Sequence, residues 1–202
     1  SKLNKLTNAN LQGKFNSVGT VKGNEKLLTI NGKSDVFNSM TTYNTTLVNF
    51  EPSDILFNVK KAKINELLYM VNQPIYAQGL VTIEGNIKNM QGKVITTIEN
   101  GKVNNPVVNK VFSQKLLRPL LFKGEVVTNI TSSQAQSKVD FFTTMANVFV
   151  KNAIVNFKDA SIKSDYLVKV DDLSKLYDVA QMKMRGKIAL NGDIKKDTDL
   201  TV

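Results

Sequence analysis

Apolar and polar residues alternate with a period of two in five separate stretches of this chain. That spacing fits strands with one buried face, because successive side chains leave a pleated backbone on opposite sides. Ile55, Phe57 and Val59 share a face of their stretch, as do Val81 and Ile83, then Val94, Thr96 and Ile98, then Tyr166, Val168 and Val170, and finally Ile188 and Leu190. Thr, Val and Ile are frequent in these runs, as half-buried pleated surfaces favour. Asn-Gly occurs at Asn31-Gly32, Asn100-Gly101 and Asn191-Gly192, and this dipeptide suits the positive φ angles of tight hairpin turns. The expected body of the chain is therefore an antiparallel meander.

Helical signals are few and short. Asn105 followed by Pro106 is a good helix start, and Val107, Val108, Val111, Phe112 and Leu116 recur at three and four residues until Pro119 stops the run. A second helix is expected from Ala62 to Asn72, before Pro74, and a third after Asp171. Each could lie on a membrane surface as an amphipathic helix or serve as a lid or core element.

With 202 residues the chain can bury a core as one large domain or two small ones. No apolar run approaches the ~18 residues of a membrane-spanning helix. The chain opens at Ser1 without a methionine or a signal-peptide pattern, and Asp199 to Val202 reads as the opening of a strand. A piece excised or processed from a longer protein is expected.

The missing residue types narrow the chemistry. Without cysteine there is no disulfide framework, thiolate nucleophile or zinc-thiolate site, and without histidine the commonest general base and metal ligand are both lost. Ser-His-Asp, Cys-His and HExxH chemistries are thereby excluded, and neither a phosphate loop nor a dinucleotide fingerprint occurs. No metal site or cofactor is expected. The only adjacent acidic pair is Asp171-Asp172. It could act as acid and base or hold a hard cation, but an aspartate there also starts a helix by accepting orphan backbone N–H groups. The formal charge of +10 raises the question of nucleic acid, which clustered cations would bind. The lysines are instead scattered, with pairs such as Lys60-Lys61 and Lys195-Lys196 the longest groups, and arginine occurs only at Arg118 and Arg185. A solvated surface accounts for this pattern, with attraction to an anionic membrane as the secondary use.

An internal repeat is legible. GLVTIEGNIK at 79–88 matches GKIALNGDIK at 186–195, and LVNF at 47–50 matches IVNF at 154–157. Both displacements are 107 residues (186 − 79 and 154 − 47). INELLYM from Ile64 aligns loosely with VDDLSKLY from Val170, so each unit reads as strand, strand, short helix and a Gly-bounded strand pair. The approximate units are 1–105 and 106–202, within one segment of a larger repeat protein. Units of this kind bury their apolar faces against neighbours and extend in one direction.

These motifs together resemble the AsmA-like and TamB group of bacterial envelope proteins. The likeness rests on the recurring G-x5-G-x-I pattern at Gly79 to Ile87 and Gly186 to Ile194, on ITTIENGKVNNPVV from Ile95, and on FTTMANVFVKNAIVNFKDASI from Phe142. The resemblance implies a mainly β, antiparallel, bent, taco-like repeat sheet with two or three short helices and an apolar groove open along one side. It implies a periplasmic protein with no catalytic residues, anchored in the inner membrane by a part outside this chain. Its role would be to bind or conduct phospholipid, or another apolar ligand, between the inner and outer membranes, in company with membrane proteins of the envelope. The groove lining would then be Ile55, Phe57, Val59, Val81, Ile83, Val94, Ile98, Tyr166, Val168, Val170, Ile188 and Leu190.

The same alternation also suits a closed β-sandwich, in which a second sheet would seal every one of these side chains. Two further classes compete with lipid carriage. A scaffold could pair its strand edges with outer-membrane β-proteins during assembly, and a glycan-cleaving enzyme could use Asp171 and Asp172.

Overall fold

The structure is a computed structural model and describes residues 12–196; the strand opening expected at Asp199 to Val202 lies outside them. Eleven strands form one curved, unclosed antiparallel sheet whose spatial order is the chain order. They are β1 (Ser17–Gly23), β2 (Leu27–Ser34), β3 (Met40–Val48), β4 (Glu51–Lys63), β5 (Ala77–Lys88), β6 (Gln91–Val103), β7 (Leu121–Ile130), β8 (Gln134–Thr143), β9 (Asn147–Asn156), β10 (Ile162–Val170) and β11 (Ile188–Lys196). The expected mainly β meander is thus observed, with three short helices.

The connections divide by end. α1 (Ile64–Met70) joins β4 to β5, and α2 (Asn105–Phe112) joins β6 to β7. A 3₁₀ turn at Leu173–Leu176 leads into α3 (Tyr177–Ala180) between β10 and β11, and another at Val36–Asn38 joins β2 to β3. Each follows an even-numbered strand, and even-numbered strands all run the same way, so the helical connections gather at one end of the sheet. The opposite end carries tight turns.

Those turns are not where the Asn-Gly dipeptides are. Asn31-Gly32 lies inside β2, Asn100-Gly101 inside β6 and Asn191-Gly192 inside β11, which corrects the expectation from sequence. The two-residue turns are Asn49-Phe50 and Asn89-Met90, each with positive φ at both positions (52° and 64°, 48° and 61°), the pattern that matches strand twist in a tight hairpin. Glycine is needed within the strands for another reason. A Cβ on Gly32 would strike the Tyr43 ring, and one on Gly85 the Phe57 ring. In both cases the two residues are direct ladder partners. Gly101 under Phe122, Gly124 under Phe141 and Gly192 under Tyr166 repeat the arrangement, so aromatic rings lie flat over the bare backbone of the neighbouring strand.

The helices are shorter than their periodicity suggests. Ala62 and Lys63 still pair with Val81 and Leu80, so β4 runs on to Lys63 and α1 starts only at Ile64. α2 stops at Phe112 because Ser113 turns left-handed at φ 54°, short of Leu116 and Pro119. The side chain of Asn109 holds the returning chain there, accepting from the Leu116 N–H at 2.8 Å and donating to the Leu116 carbonyl at 3.1 Å. Asp172 does start a helical segment: its carboxylate accepts from the Ser174 N–H at 2.9 Å.

The 107-residue displacement corresponds to six strands. LVNF ends β3 and enters its turn, IVNF does the same for β9, and the longer match superposes β5 on β11. The Gly79 to Ile87 motif falls within one strand, and Gly186 to Ile194 leads into and along another. Each is therefore a single strand rather than the expected strand pair.

A clasp at the helical end lies within the second unit. Asp178 of α3 is buried, 3% exposed, and one of its carboxylate oxygens accepts from the Arg118 N–H at 2.9 Å, the Leu117 N–H at 3.2 Å and the Arg118 Nε at 3.4 Å. The Arg118 guanidinium also donates to the Lys175 carbonyl at 3.1 Å. The connection after β10 thereby grips the one before β7, three ladder steps or roughly 14 Å away along a flat sheet, so the clasp ties the sheet's curvature across those strands. The Arg118 backbone N–H foremost, with its side chain and the Leu117 N–H, holds the Asp178 carboxyl below its ordinary 3.8. A carboxyl lowered by folding stabilises above its unfolded value and loses that contribution as pH falls through the folded one. Acidification below 3.8 should therefore open the clasp. Thermal melts should show Asp178→Ala several degrees below the parent at neutral pH, where the Leu117 and Arg118 N–H groups lose their acceptor, with the gap closing in acid; equal melting at neutral pH would deny the clasp any weight.

Candidate functional site

Ladder partners in an antiparallel sheet point to the same side, so the register assigns every strand residue to a face. Ala62 pairs with Val81, Val81 with Ile98, Ile98 with Gly124, Gly124 with Phe141, Phe141 with Val148, Val148 with Val168 and Val168 with Leu190. One unbroken row thus crosses eight strands from β4 to β11. The next row runs Val59, Ile83, Thr96, Val126, Val139 and Val150. Phe57 and Ile55 stand two and four residues from Val59 along β4. Val94 faces Gly85, and Val170 faces Ile188 while Tyr166 covers Gly192. All twelve residues singled out from sequence lie on this one face.

The register adds residues the alternation did not reveal: Val126 from β7, Val139 and Phe141 from β8, and Val148 and Val150 from β9. Along β9 a bulge interrupts the period, since Ser137 pairs with Ala153 but Val139 with Val150. The bulge is fixed from the other side by Asp165, one carboxylate oxygen of which accepts from the Lys151 N–H at 2.8 Å and the Asn152 N–H at 3.0 Å. Side chains 148 and 150 therefore share a face with 153 and 155, a pattern a strict period of two does not contain.

The two faces differ sharply in charge. On the face of these rows, the one charged residue at a ladder position among the described residues is Lys196, opposite Ile162 at the end of β11. The other face carries the charge, with Lys93, Glu84, Lys123, Glu125, Lys138, Asp140, Lys163, Lys169 and Asp193 all in ladder positions. Alternation has sorted the chain's charges onto one side of a single layer.

The uncharged face is not sealed. Among the described residues the buried apolar side chains are Val59, Ala62, Val81, Leu116 and Val170; the first three belong to the two strands that α1 contacts. Ile83, Val94, Ile98, Val126, Val139, Phe141, Val148 and Val168 are only half-buried, and toward the β11 edge Leu190 and Ile194 are 53% and 55% exposed. The chain's accessible surface is 13913 Å², against the roughly 9,400 Å² of a compact chain of this mass. These observations overturn the closed-sandwich alternative: among the described residues all strands belong to one sheet, and no second sheet covers the apolar face.

Asp171 and Asp172, the candidate acidic pair, sit beyond β10 at the start of the 3₁₀ turn, where the Ser174 hydrogen bond, foremost among several interactions, lowers the Asp172 carboxyl. The pair is thus placed at the helical end, in the connection that follows Val170.

Comparison with models of protein families, with curated proteins and with solved structures finds no match to this chain.

Proposed function

We propose that the uncharged face is a trough for the hydrocarbon chains of phospholipid, and that the protein is a non-catalytic lipid-binding or lipid-conducting segment acting in the bacterial periplasm between the inner and outer membranes. The observation that carries this reading is the continuous apolar row over the eight strands β4 to β11, which no second sheet covers among the described residues. Contiguous exposed apolar area on this scale marks a surface that meets something apolar. Moving a lipid with two chains of about sixteen carbons through water exposes roughly 25 kcal/mol of apolar surface, at ~0.8 kcal/mol per methylene. A trough removes most of that cost wherever the chains can lie along it. Seven ladder steps of ~4.8 Å give a run of about 34 Å, roughly twice the ~15 Å depth of one bilayer leaflet's hydrocarbon, so a chain can rest at more than one position. The resemblance to AsmA-like and TamB proteins supports the same reading. The test is extraction of the purified protein followed by mass spectrometry for bound phospholipid: retained phospholipid, lost when a charge is placed on the trough, supports the role, and clean protein that also refuses added phospholipid refutes it.

A second reading has its own observation. β11 matches β5 in sequence, yet the side of β5 away from β4 is occupied by β6, whereas among the described residues no strand pairs with the corresponding side of β11. A scaffold that receives strands of outer-membrane β-proteins would use that edge, with backbone hydrogen bonds supplying affinity. A peptide of the β6 sequence, residues 91–103, should then crosslink to β11 at a photoreactive residue in place of Asn191. Crosslinking no stronger than with a peptide of scrambled alternation would remove this reading.

A further inference from the structure

The opposite, charged face holds a concavity of about 760 Å³ at the helical end of the sheet. Bulges shape it. The register slips between Val59 and Ala62 on β4, between Gln78 and Leu80 on β5, and between Ile98 and Gly101 on β6. Lys61, Gly79 and Asn100 take positive φ at these points. Three neighbouring strands therefore bend at the same level, as bulged strands do, and Gly79, Asn100 and Gly101 form part of the wall.

Its lining pairs cations with apolar side chains. Lys63 is the ladder partner of Leu80, Lys102 of Leu121, and Lys123 of Phe142, and all six line the concavity. Leu121 and Phe142 are 48% and 37% exposed. No carboxylate is among the lining residues, and none of the three lysines enters the Arg118–Asp178 or the Lys138–Asp140 ion pair.

The geometry points to a binding site for a single-chain anionic amphiphile, of the long-chain carboxylate class. The chain lies over Leu80, Leu121 and Phe142, and the head is held by Lys63, Lys102 and Lys123. The volume suits a single chain: taking for each carbon about the 30 Å³ that a water occupies in the liquid, eighteen carbons need roughly 540 Å³ and fit. Lysine is suited to the task because its flexible stem covers apolar surface while its ammonium reaches the head. This site is independent of the trough, which lies on the other side of the sheet.

The test is calorimetric titration of the 202-residue chain with sodium oleate below its micelle concentration, alongside oleyl alcohol. The titration is made in the Val168→Asp background, in which the trough no longer takes hydrocarbon chains. Saturable oleate binding is expected there, about tenfold or more weaker once Lys102→Glu and Lys123→Glu are added, and comparably weaker for oleyl alcohol. Oleate binding in that background that survives the lysine changes, that does not exceed oleyl alcohol binding, or that is absent altogether overturns the assignment. Should the lysine variant fail to fold, spin-labelled stearate added to the Val168→Asp protein decides: NMR broadening must centre on Leu121 and Phe142. Because Val168→Asp reports on the trough and the lysines on this site, failure of either reading is distinguishable from failure of the other.

Discussion

Protein carrying Val168→Asp should fold with an unchanged far-ultraviolet circular dichroism spectrum and yet lose at least about nine-tenths of its copurifying phospholipid, and Ile83→Asp should do the same. Both positions are half-buried and lie on the uncharged face. The reasoning turns on where the new carboxylate finds water. In the free protein an aspartate at either site reaches solvent through the unsealed face, so the folding cost stays near the 1–2 kcal/mol of a modest polar substitution. Against hydrocarbon chains the same carboxylate must be stripped of water, at a cost of several kcal/mol that no neighbouring cation offsets. Each 1.4 kcal/mol is tenfold in affinity, so loss of lipid should be nearly complete. A sealed core would give the reverse outcome, with the protein unfolding before any lipid could be measured. Retention of phospholipid by both folded variants would remove the trough from the lipid pathway.

The second large effect is expected at Gly85. Replacing glycine by alanine within a strand ordinarily stabilises, by roughly 0.5–1 kcal/mol, because the glycine of the unfolded chain has more freedom to lose. Here the sign should invert. Gly85 has ordinary strand geometry, so alanine meets no backbone obstacle, but its Cβ would enter the space of the Phe57 ring. Overpacking of that kind costs about 1–3 kcal/mol, visible as a lower urea midpoint. The ring is the cause, so Phe57→Leu should make room: in that background Gly85→Ala should become neutral or stabilising. Destabilisation that persists without the ring would place the cause in the backbone and deny the ring-on-glycine pairing its role. A displaced Phe57 has only the trough to enter, so the single variant should also hold less phospholipid.

How much of this was legible follows from what side-chain patterns encode. Period-two alternation names strand faces correctly wherever the ladder is regular, which is why Ile55, Phe57 and Val59 of β4 and Tyr166, Val168 and Val170 of β10 proved to lie on one side. It fails where the ladder is not regular. The bulge at Lys151 and Asn152 shifts the period of β9 by one residue, and adjacent valines at Val126 and Val127 give β7 apolar side chains on both faces, so neither strand announced itself. Asn-Gly was misread because glycine has two uses in a sheet. At Gly32, Gly101 and Gly192 the need is for a missing Cβ under a ring from the next strand, and that ring is between 11 and 26 residues away in sequence. The turns at Asn49-Phe50 and Asn89-Met90 have no glycine at all. Charge segregation between the two faces was implicit in every alternating run, but only the register unites the runs into one surface. The cationic concavity was invisible, since its lysines come from three strands, β4, β6 and β7, that only the ladder brings together.

The sixfold strand periodicity bears on how such a molecule acquires reach. Each 107-residue duplication contributes six strands, or about 29 Å at ~4.8 Å apiece, and leaves the cross-section as it was. Length in this architecture therefore comes in fixed increments, set by copy number rather than by the tuning of individual residues, while the width of the sheet depends on strand length alone. If the uncharged face carries lipid as proposed, added copies would lengthen the trough without altering the residues that line it.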